Sequence, residues 1–480
     1  MGTDLAIIGA GPAGMAAAIE AQALGLSTQL LDEQARVGGQ IYRNIERAGE
    51  REQQLLGPDY LAGRPLAEQL HRSGTRYSPG ATVWQIDPEG ALYYTSGGRA
   101  FQLQPRHILI ATGAQERPMP IPGWELPGVM TAGAAQILLK SPGLLAQGAV
   151  FAGSGPLLYL VANQYLRAGV KIQAVLDTTP LSNYLRALAR LPQALRGLGY
   201  LAKGISLLVQ LQRSGVPLVR GVTGVEALAG ANGLLERVRY RTRGATRELA
   251  TEHLFLHQGV IPNSNLAMAS GCRHHWSETQ LCWLPERDPF GQSSLPHISI
   301  AGDGSGIGGA RASALQGRLA AQQIACRLGL QEQGRRDRQC APLFRALGRE
   351  LGWRPFLETL YRPAVTLRLP QGDNALVCRC EEVRVADIRA ALAQGCVGPN
   401  QLKSFTRCGM GSCQGRQCSL SVTELIANEL GLPPGQVGHY RVRAPVKPLT
   451  LGELAALQET PPAEVIDPLT APPSTPTAVS

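Results

Sequence analysis

The run Asp4-Leu-Ala-Ile-Ile-Gly-Ala-Gly-Pro-Ala-Gly14 constrains this chain more than any other stretch. Leu5 to Ile8 make a short apolar strand, and Gly9, Gly11 and Gly14 fill a GxGxxG pattern that opens a helix through Pro12 and Ala13. Each glycine has a separate physical task. The first permits a tight turn, the second lets backbone approach a pyrophosphate, and the third lets the helix lie close to the strand with its N-terminal dipole toward the phosphates. Asp32 closes the next apolar strand 23 residues after Gly9, where a carboxylate accepts hydrogen bonds from a ribose. Glu33 is the fallback for that role. Strand, turn, helix and acid together predict a bound dinucleotide rather than mere glycine-rich packing.

Apolar strands alternate with helical stretches up to about residue 330, the pattern of doubly wound α/β architecture. A second strand-turn-helix, Ala149-Val-Phe-Ala-Gly-Ser-Gly-Pro-Leu-Leu158, repeats the first. Leu158 stands where the third glycine belongs and pushes the helix outward. Asp177, 24 residues after Gly153, is the matching ribose candidate, with strand capping or solvent exposure as its alternatives. At 480 residues the chain exceeds one core, so two or three domains are expected, and the likeness of the two turns suggests two nucleotide-binding-type folds, one inserted into the other. The expected boundaries are 1–125 and 251–330 for the two halves of the dinucleotide domain and 126–250 for an NAD(P)-type insert, with nucleotide binding there left open. An Arg- and Gln-rich connecting arm follows over 331–370, then a cysteine-rich module over 371–430. An extension and tail fill 431–480, of which Pro461 to Ser480 lacks the apolar residues to order itself.

Ten cysteines occur, none before Cys272, and six of them (Cys378, Cys380, Cys396, Cys408, Cys413, Cys418) fall within 41 residues. Clustered thiolates select an iron-sulfur centre or zinc, and Cys378-Arg-Cys380 is tighter than the usual zinc ribbon pair. Cys272, Cys282, Cys326, Cys340 and Cys396 read as small core residues. The chain runs straight into its first strand without a signal-peptide pattern, and no window of about 18 apolar residues could span a bilayer. A cytoplasmic protein, or one peripheral on the inner face of the membrane, is therefore expected. The net charge of +10 is spread along the chain without basic-aromatic interleaving, which argues against nucleic-acid binding.

Three further motifs carry a resemblance. Gly38-Gly39-Gln40, the strand ending Ala111-Thr112-Gly113, and Ile300-Ala-Gly302-Asp303 resemble the loops that complete the FAD site of two-dinucleotide-binding-domain flavoproteins. The resemblance implies an FAD domain with an inserted NAD-type Rossmann-like domain, Asp303 on the ribityl chain, and Gly304 with the helix after Ile307 facing the flavin. Disulfide reductases of that superfamily carry a redox cysteine pair after the GG loop or within the insert. Neither region here contains a cysteine, so disulfide relay is not expected. Cys378-Arg-Cys380-Glu-Glu with the later Thr406-to-Cys418 run resembles the bacterioferritin-associated-ferredoxin type of 2Fe-2S domain. This implies Cys378, Cys380, Cys413 and Cys418 as ligands on a small C-terminal helical domain, with Cys408 the runner-up for either of the last two.

From residue 4 to about 425 the chain resembles the FAD-containing alpha-type subunit of bacterial heteromeric dehydrogenases such as opine oxidase, hydrogen cyanide synthase and proline or D-hydroxyproline dehydrogenase. Leu31-Asp-Glu-Gln, Gly38-Gly-Gln-Ile-Tyr42, Leu256-His-Gln-Gly-Val-Ile-Pro-Asn263, Ala301-Gly-Asp-Gly304 and Gly409-Met-Gly-Ser-Cys-Gln-Gly-Arg416 carry the likeness. It implies that an amino-acid-oxidase-like FAD beta subunit oxidises a C–N bond while this chain relays electrons, with a small ferredoxin-like gamma subunit as a further candidate partner. No residue stands out as nucleophile or general base, and the catalytic residues stay unassigned. His257 is read first as a structural histidine and second as a group near the flavin. Two other functions compete: a self-sufficient NAD(P)H-dependent flavin reductase using the insert, and a cluster-delivery protein. The substrate and the electron acceptor are not legible.

Overall fold

The computed structural model describes residues 2–141 and 143–457; the expected disordered stretch Pro461 to Ser480 lies outside them. Two five-stranded parallel sheets organise the chain. The first runs Ile298–Ile300, His107–Ile110, Leu5–Ile8, Thr28–Asp32, Arg76–Pro79, all paired in parallel. Its central strand Leu5–Ile8 is buried along its whole length, as a strand covered on both faces must be. Helices Pro12–Ala23 and Ala310–Arg327 cover one face. They cross so closely that a Cβ on Gly317 would stand 2.1 Å from the Ala13 carbonyl oxygen.

The second sheet runs Leu218–Arg220, Ile172–Asp177, Ala149–Gly153, Leu254–His257, Val129–Thr131, again all parallel. Leu254–His257 lies in its interior, between Ala149–Gly153 and Val129–Thr131. This sheet thus draws on chain beyond residue 250, the expected boundary of the insert. The reason is the pairing: Phe151, Phe255 and Tyr165 meet edge to face across it, a contact made between residues about a hundred positions apart.

The arm after residue 331 is largely helical, with helices Gln333–Leu351 and Arg354–Leu360 laid against the body. The cysteine-rich module packs helices Val385–Ala393, Pro399–Thr406 and Ser419–Leu430 around Val385, Ile388, Val422 and Leu425. A buried ion pair between Arg368 and Glu424 ties it to the arm. After the module the chain turns back, and Val442 and Val446 enter the core beneath the first sheet, where Val446 N–H donates to the Trp84 carbonyl at 2.9 Å. Among the described residues no helix is long and apolar enough to cross a membrane.

Buried histidines set the acid limit of this fold. His107 pairs with Ser299 at 2.9 Å, and burial, helped by Arg327 and His297, pulls its pKa down to about 3. His274 is pulled down to about 4, again chiefly by burial. An unfolded chain protonates these rings near pH 6.5, so between that value and the folded ones the unfolded state binds more protons. Stability is expected to fall as pH drops below about 6.5. The slope of urea midpoint against pH should be shallower in His107→Asn.

Candidate functional site

A cavity of about 660 Å³ opens at the C-terminal edge of the first sheet, lined by Gly9, Gly11, Asp32, Glu33, Gly39, Gln40, Ala111, Thr112, Gly113, Gly302 and Asp303 among others. That is where open α/β sheets bind ligands. Close packing keeps the backbone bare here. A Cβ on Gly9 would stand 2.5 Å from the Ala111 carbonyl oxygen, and one on Gly39 would stand 2.9 Å from Gly11 Cα. Helix Pro12–Ala23 begins without a side-chain cap, so its first N–H groups are left for whatever fills the cavity. Pro12 and Ala13 line it as well.

Asp32 Oδ2 accepts from the Ala10 N–H at 2.5 Å and Oδ1 from Gln34 at 2.7 Å, which fixes the carboxylate at the cavity edge. Burial outweighs these bonds and raises its pKa. Glu33 instead pairs with Lys447, at 2.6 Å, from the returning C-terminal segment. Asp303 Oδ1 accepts from Gly308 and Gly309 N–H, both at 2.8 Å, and so braces the start of helix Ala310–Arg327. Gly14 does not line the cavity; its place is inside the turn, where a Cβ would stand 1.8 Å from the Gly9 carbonyl oxygen. Bare glycines, an uncapped helix start and carboxylates at the edge fit a flavin dinucleotide.

At the opposite wall stands a pair of which only His257 lies in a motif read from the sequence. Glu116 lines the cavity, takes the Gly133 N–H at 2.7 Å, and meets His257 Nδ1 at 2.8 Å. His257 is itself only 3% exposed, so it reaches the cavity through Glu116 and not directly. A lone Glu in Gln115-Glu-Arg117 carries no signal by which it could have been singled out.

The cysteine module forms part of the cavity wall. Arg379, from between Cys378 and Cys380, lines the cavity and lies over the Trp124 ring at 5.2 Å, while Arg416 and Gln417 line it from the later cysteine run. Three hydrogen bonds fix this junction: Trp124 Nε1 to the Leu376 carbonyl at 2.8 Å, Gln115 Nε2 to that of Arg416 at 3.0 Å, and Asn265 Nδ2 to that of Gln414 at 2.9 Å.

Within the module the Sγ atoms of Cys378, Cys408 and Cys418 lie within 4.8 Å of one another. Cys380 and Cys413 pair with each other outside that group. Hydrogen bonds from Cys408 and Cys418, with N–H groups of Gly409 and Glu381, hold the Cys378 thiol far below its usual range. Three thiols therefore meet, two of the expected ligands, Cys378 and Cys418, together with the runner-up Cys408, while the expected ligands Cys380 and Cys413 lie outside that group. A donor set of sulfur alone fits an iron-sulfur cluster or zinc and not a hard cation. Gly411 leaves the room: a Cβ there would stand 2.3 Å from Cys380 Cβ. Cys272, Cys282 and Cys340 are buried elsewhere, Cys396 is buried in the module's core outside the thiol group, and Cys326 is partly buried.

At the second nucleotide-type turn Leu158 is fully buried. Asp177 is also buried, hydrogen-bonding the Tyr159 hydroxyl and the Thr179 N–H, with Tyr184 and Tyr361 close by. Tyr361 belongs to the arm, held there by Asn183 Nδ2 donating to the Leu360 and Arg362 carbonyls at 3.1 and 2.8 Å. Ser154 Oγ, Thr179 Oγ1 and the amide of Gln258, which follow three adjacent strands of this sheet, are buried without a partner.

A family model described as pyridine nucleotide-disulphide oxidoreductase matches residues 3–325, and one described as sarcosine oxidase A3 domain matches residues 373–458. An opine oxidase subunit from Rhizobium meliloti is 45% identical over 95% of this chain and 88% of that protein. The hydrogen cyanide synthase subunit HcnB of Pseudomonas aeruginosa is 33% identical over 92% of this chain and 96% of its own length. L-proline dehydrogenase from P. horikoshii shares the fold at 19% identity, with a TM-score of 0.68 over 95% of this chain and 79% of that one.

Proposed function

This chain belongs to the pyridine nucleotide-disulphide oxidoreductase family, and from that membership we propose that it is the FAD and 2Fe-2S electron-transfer subunit of a heteromeric oxidoreductase acting on the C–N bond of an amino acid, imino acid or opine. The observation that carries the reading is the junction of the two sites. The segment holding Cys378 and Cys380 supplies a wall of the dinucleotide cavity through Arg379, so a reduced flavin and a thiolate-held cluster would be neighbours by construction.

When bound, FAD supplies the exchange between two-electron chemistry and the one-electron steps a cluster accepts. The chain's own residues do the rest. Gly9, Gly11, Pro12, Ala13, Gly39 and Gln40 would cradle the pyrophosphate half, with Asp32 or Glu33 toward the ribose. Ala111 to Gly113, Gly302 and Asp303 would hold the ribityl and flavin half. Cys378, Cys380, Cys413 and Cys418 would ligate the cluster. Arg379 and Arg416 place positive charge on the cavity wall, which favours added electrons there. An amino-acid-oxidase-like FAD beta subunit would oxidise the substrate, and a ferredoxin-like gamma subunit is a further candidate partner. A cytoplasmic setting, or the inner membrane face, suits this reading.

A second reading, the NAD(P)H-dependent flavin reductase, draws support from the unpartnered Ser154, Thr179 and Gln258 at the edge of the inserted sheet. Against it stand Leu158 in the glycine position and the engagement of Asp177 by Tyr159 beneath the arm. An anaerobic absorbance titration separates the two. Flavin bleaching is expected only with the co-expressed partner subunit plus an amino acid or opine; rapid bleaching of the isolated chain by NADH or NADPH would sink the subunit reading.

A further inference from the structure

The stretch between Leu181 and Leu198 is folded inside out. Helix Leu181–Leu188 carries apolar residues at 181, 184, 185 and 188, the i, i+3, i+4, i+7 stripe that a surface helix ordinarily turns inward. Here that stripe faces out: Leu181 is 70% exposed and Leu185 72%, while the small or polar Asn183 and Ala187 point in. The inversion continues through the next turns. Leu191, Leu195, Leu198 and Ile205 are exposed, whereas Ala194 and Gly197 pack inward, Gly197 directly under the Trp353 ring. Scattered exposed leucines need no explanation, but a contiguous row along successive helices marks an interaction surface.

Its charge says what covers it. From Thr178 to Val225 the sequence contains six Lys or Arg and no Asp or Glu. Lys203 is paired with Asp59, but among the described residues no ion pair engages Arg186, Arg190 or Arg196, all exposed beside the leucine row. Exposed leucines flanked by unpaired arginines are the pattern of an element lying in the plane of a bilayer interface, with side chains in the acyl boundary and guanidinium groups among anionic headgroups.

We propose that the leucine face of Leu181–Leu198, with Arg186, Arg190 and Arg196, seats this protein on an anionic lipid bilayer surface. The inference rests on this stretch alone and stands or falls independently of the flavin and cluster roles. It also needs no spanning helix.

The test is cosedimentation of the purified full chain, alone and with its co-expressed partner, with vesicles of phosphatidylcholine alone or with about 30% phosphatidylglycerol. At least tenfold stronger partitioning onto the anionic vesicles is expected, weakening severalfold in 0.5 M salt. Leu185→Glu/Leu188→Glu and, separately, Arg186→Glu/Arg190→Glu/Arg196→Glu should each abolish most of the partitioning while flavin content stays at the wild-type level. Because these side chains point to solvent, retained flavin reports an intact fold. Absence of binding to either vesicle by both the chain and its complex overturns the proposal, as does undiminished binding by both variants. So does loss of the copurifying subunit from the leucine variant when the wild type binds no vesicle, an outcome that would make this face a subunit interface.

Discussion

Gly11→Val protein is expected to fold and melt like wild-type apoprotein yet retain at least about tenfold less flavin, a loss of ~1.4 kcal/mol or more in binding. The reason lies in where the added atoms go. Gly11 has ordinary φ, and a Cβ there finds its nearest neighbour, Gly39 Cα, at 3.9 Å, so the protein itself accommodates the change. The methyl groups enter the cavity, where the pyrophosphate would lie. Gly14→Ala is the opposite case. Its Cβ would stand 1.8 Å from the Gly9 carbonyl oxygen, backbone that cannot withdraw without parting the first helix from its strand. That variant should fail to accumulate as folded protein, with or without added flavin. Flavin content by absorbance and melting with and without FAD check both; a Gly11→Val chain with full flavin would show that the ligand lies elsewhere.

The second large effect concerns Cys378, Cys380, Cys408, Cys413 and Cys418. Cys378→Ser, Cys380→Ser, Cys413→Ser and Cys418→Ser should each lose iron and inorganic sulfide almost completely, whereas Cys408→Ser should keep both. Cys408 touches Cys378, Cys418 and the Tyr440 hydroxyl, so if the ligand set is the expected one it would hydrogen-bond a ligand sulfur, although its place in the three-thiol group makes it the alternative ligand. Iron and sulfide analysis of the five variants decides it. Loss of iron in Cys408→Ser with retention in Cys413→Ser would move the third ligand to Cys408, and stoichiometric zinc in the wild-type chain would remove the cluster altogether.

What the sequence made readable was local. Gly9, Gly11 and Asp32 lie within one strand-turn-helix-strand unit, and their spacing alone brings them to one cavity edge. The glycines at 38 and 39 and the pair Gly302-Asp303 are also recognisable in short windows. Contacts joining distant segments were not readable. Leu254–His257 enters the second sheet because of its neighbours, Glu116 meets His257 across 141 positions, and Trp124 meets Arg379 across some 255. The thiol cluster was visible as density in sequence, but the approach of Cys408 to Cys378 depends on how three helices pack. Likewise the excursion after Leu181 reads as an ordinary amphipathic helix until burial shows which face is turned in.

The return of the chain from the cysteine module to the core beneath the first sheet has a kinetic meaning. The module is anchored on its entry side by Trp124 and Leu376 and on its exit side by Val446 and Lys447. A carrier domain on a single linker must find its donor by diffusion, at an effective concentration set by linker length. Strapped at both ends, this module has no search to make. If the cavity holds a flavin and the thiols a cluster, exchange between them would cross a fixed gap, indifferent to solvent viscosity, leaving diffusion to encounters with donor and acceptor outside the chain.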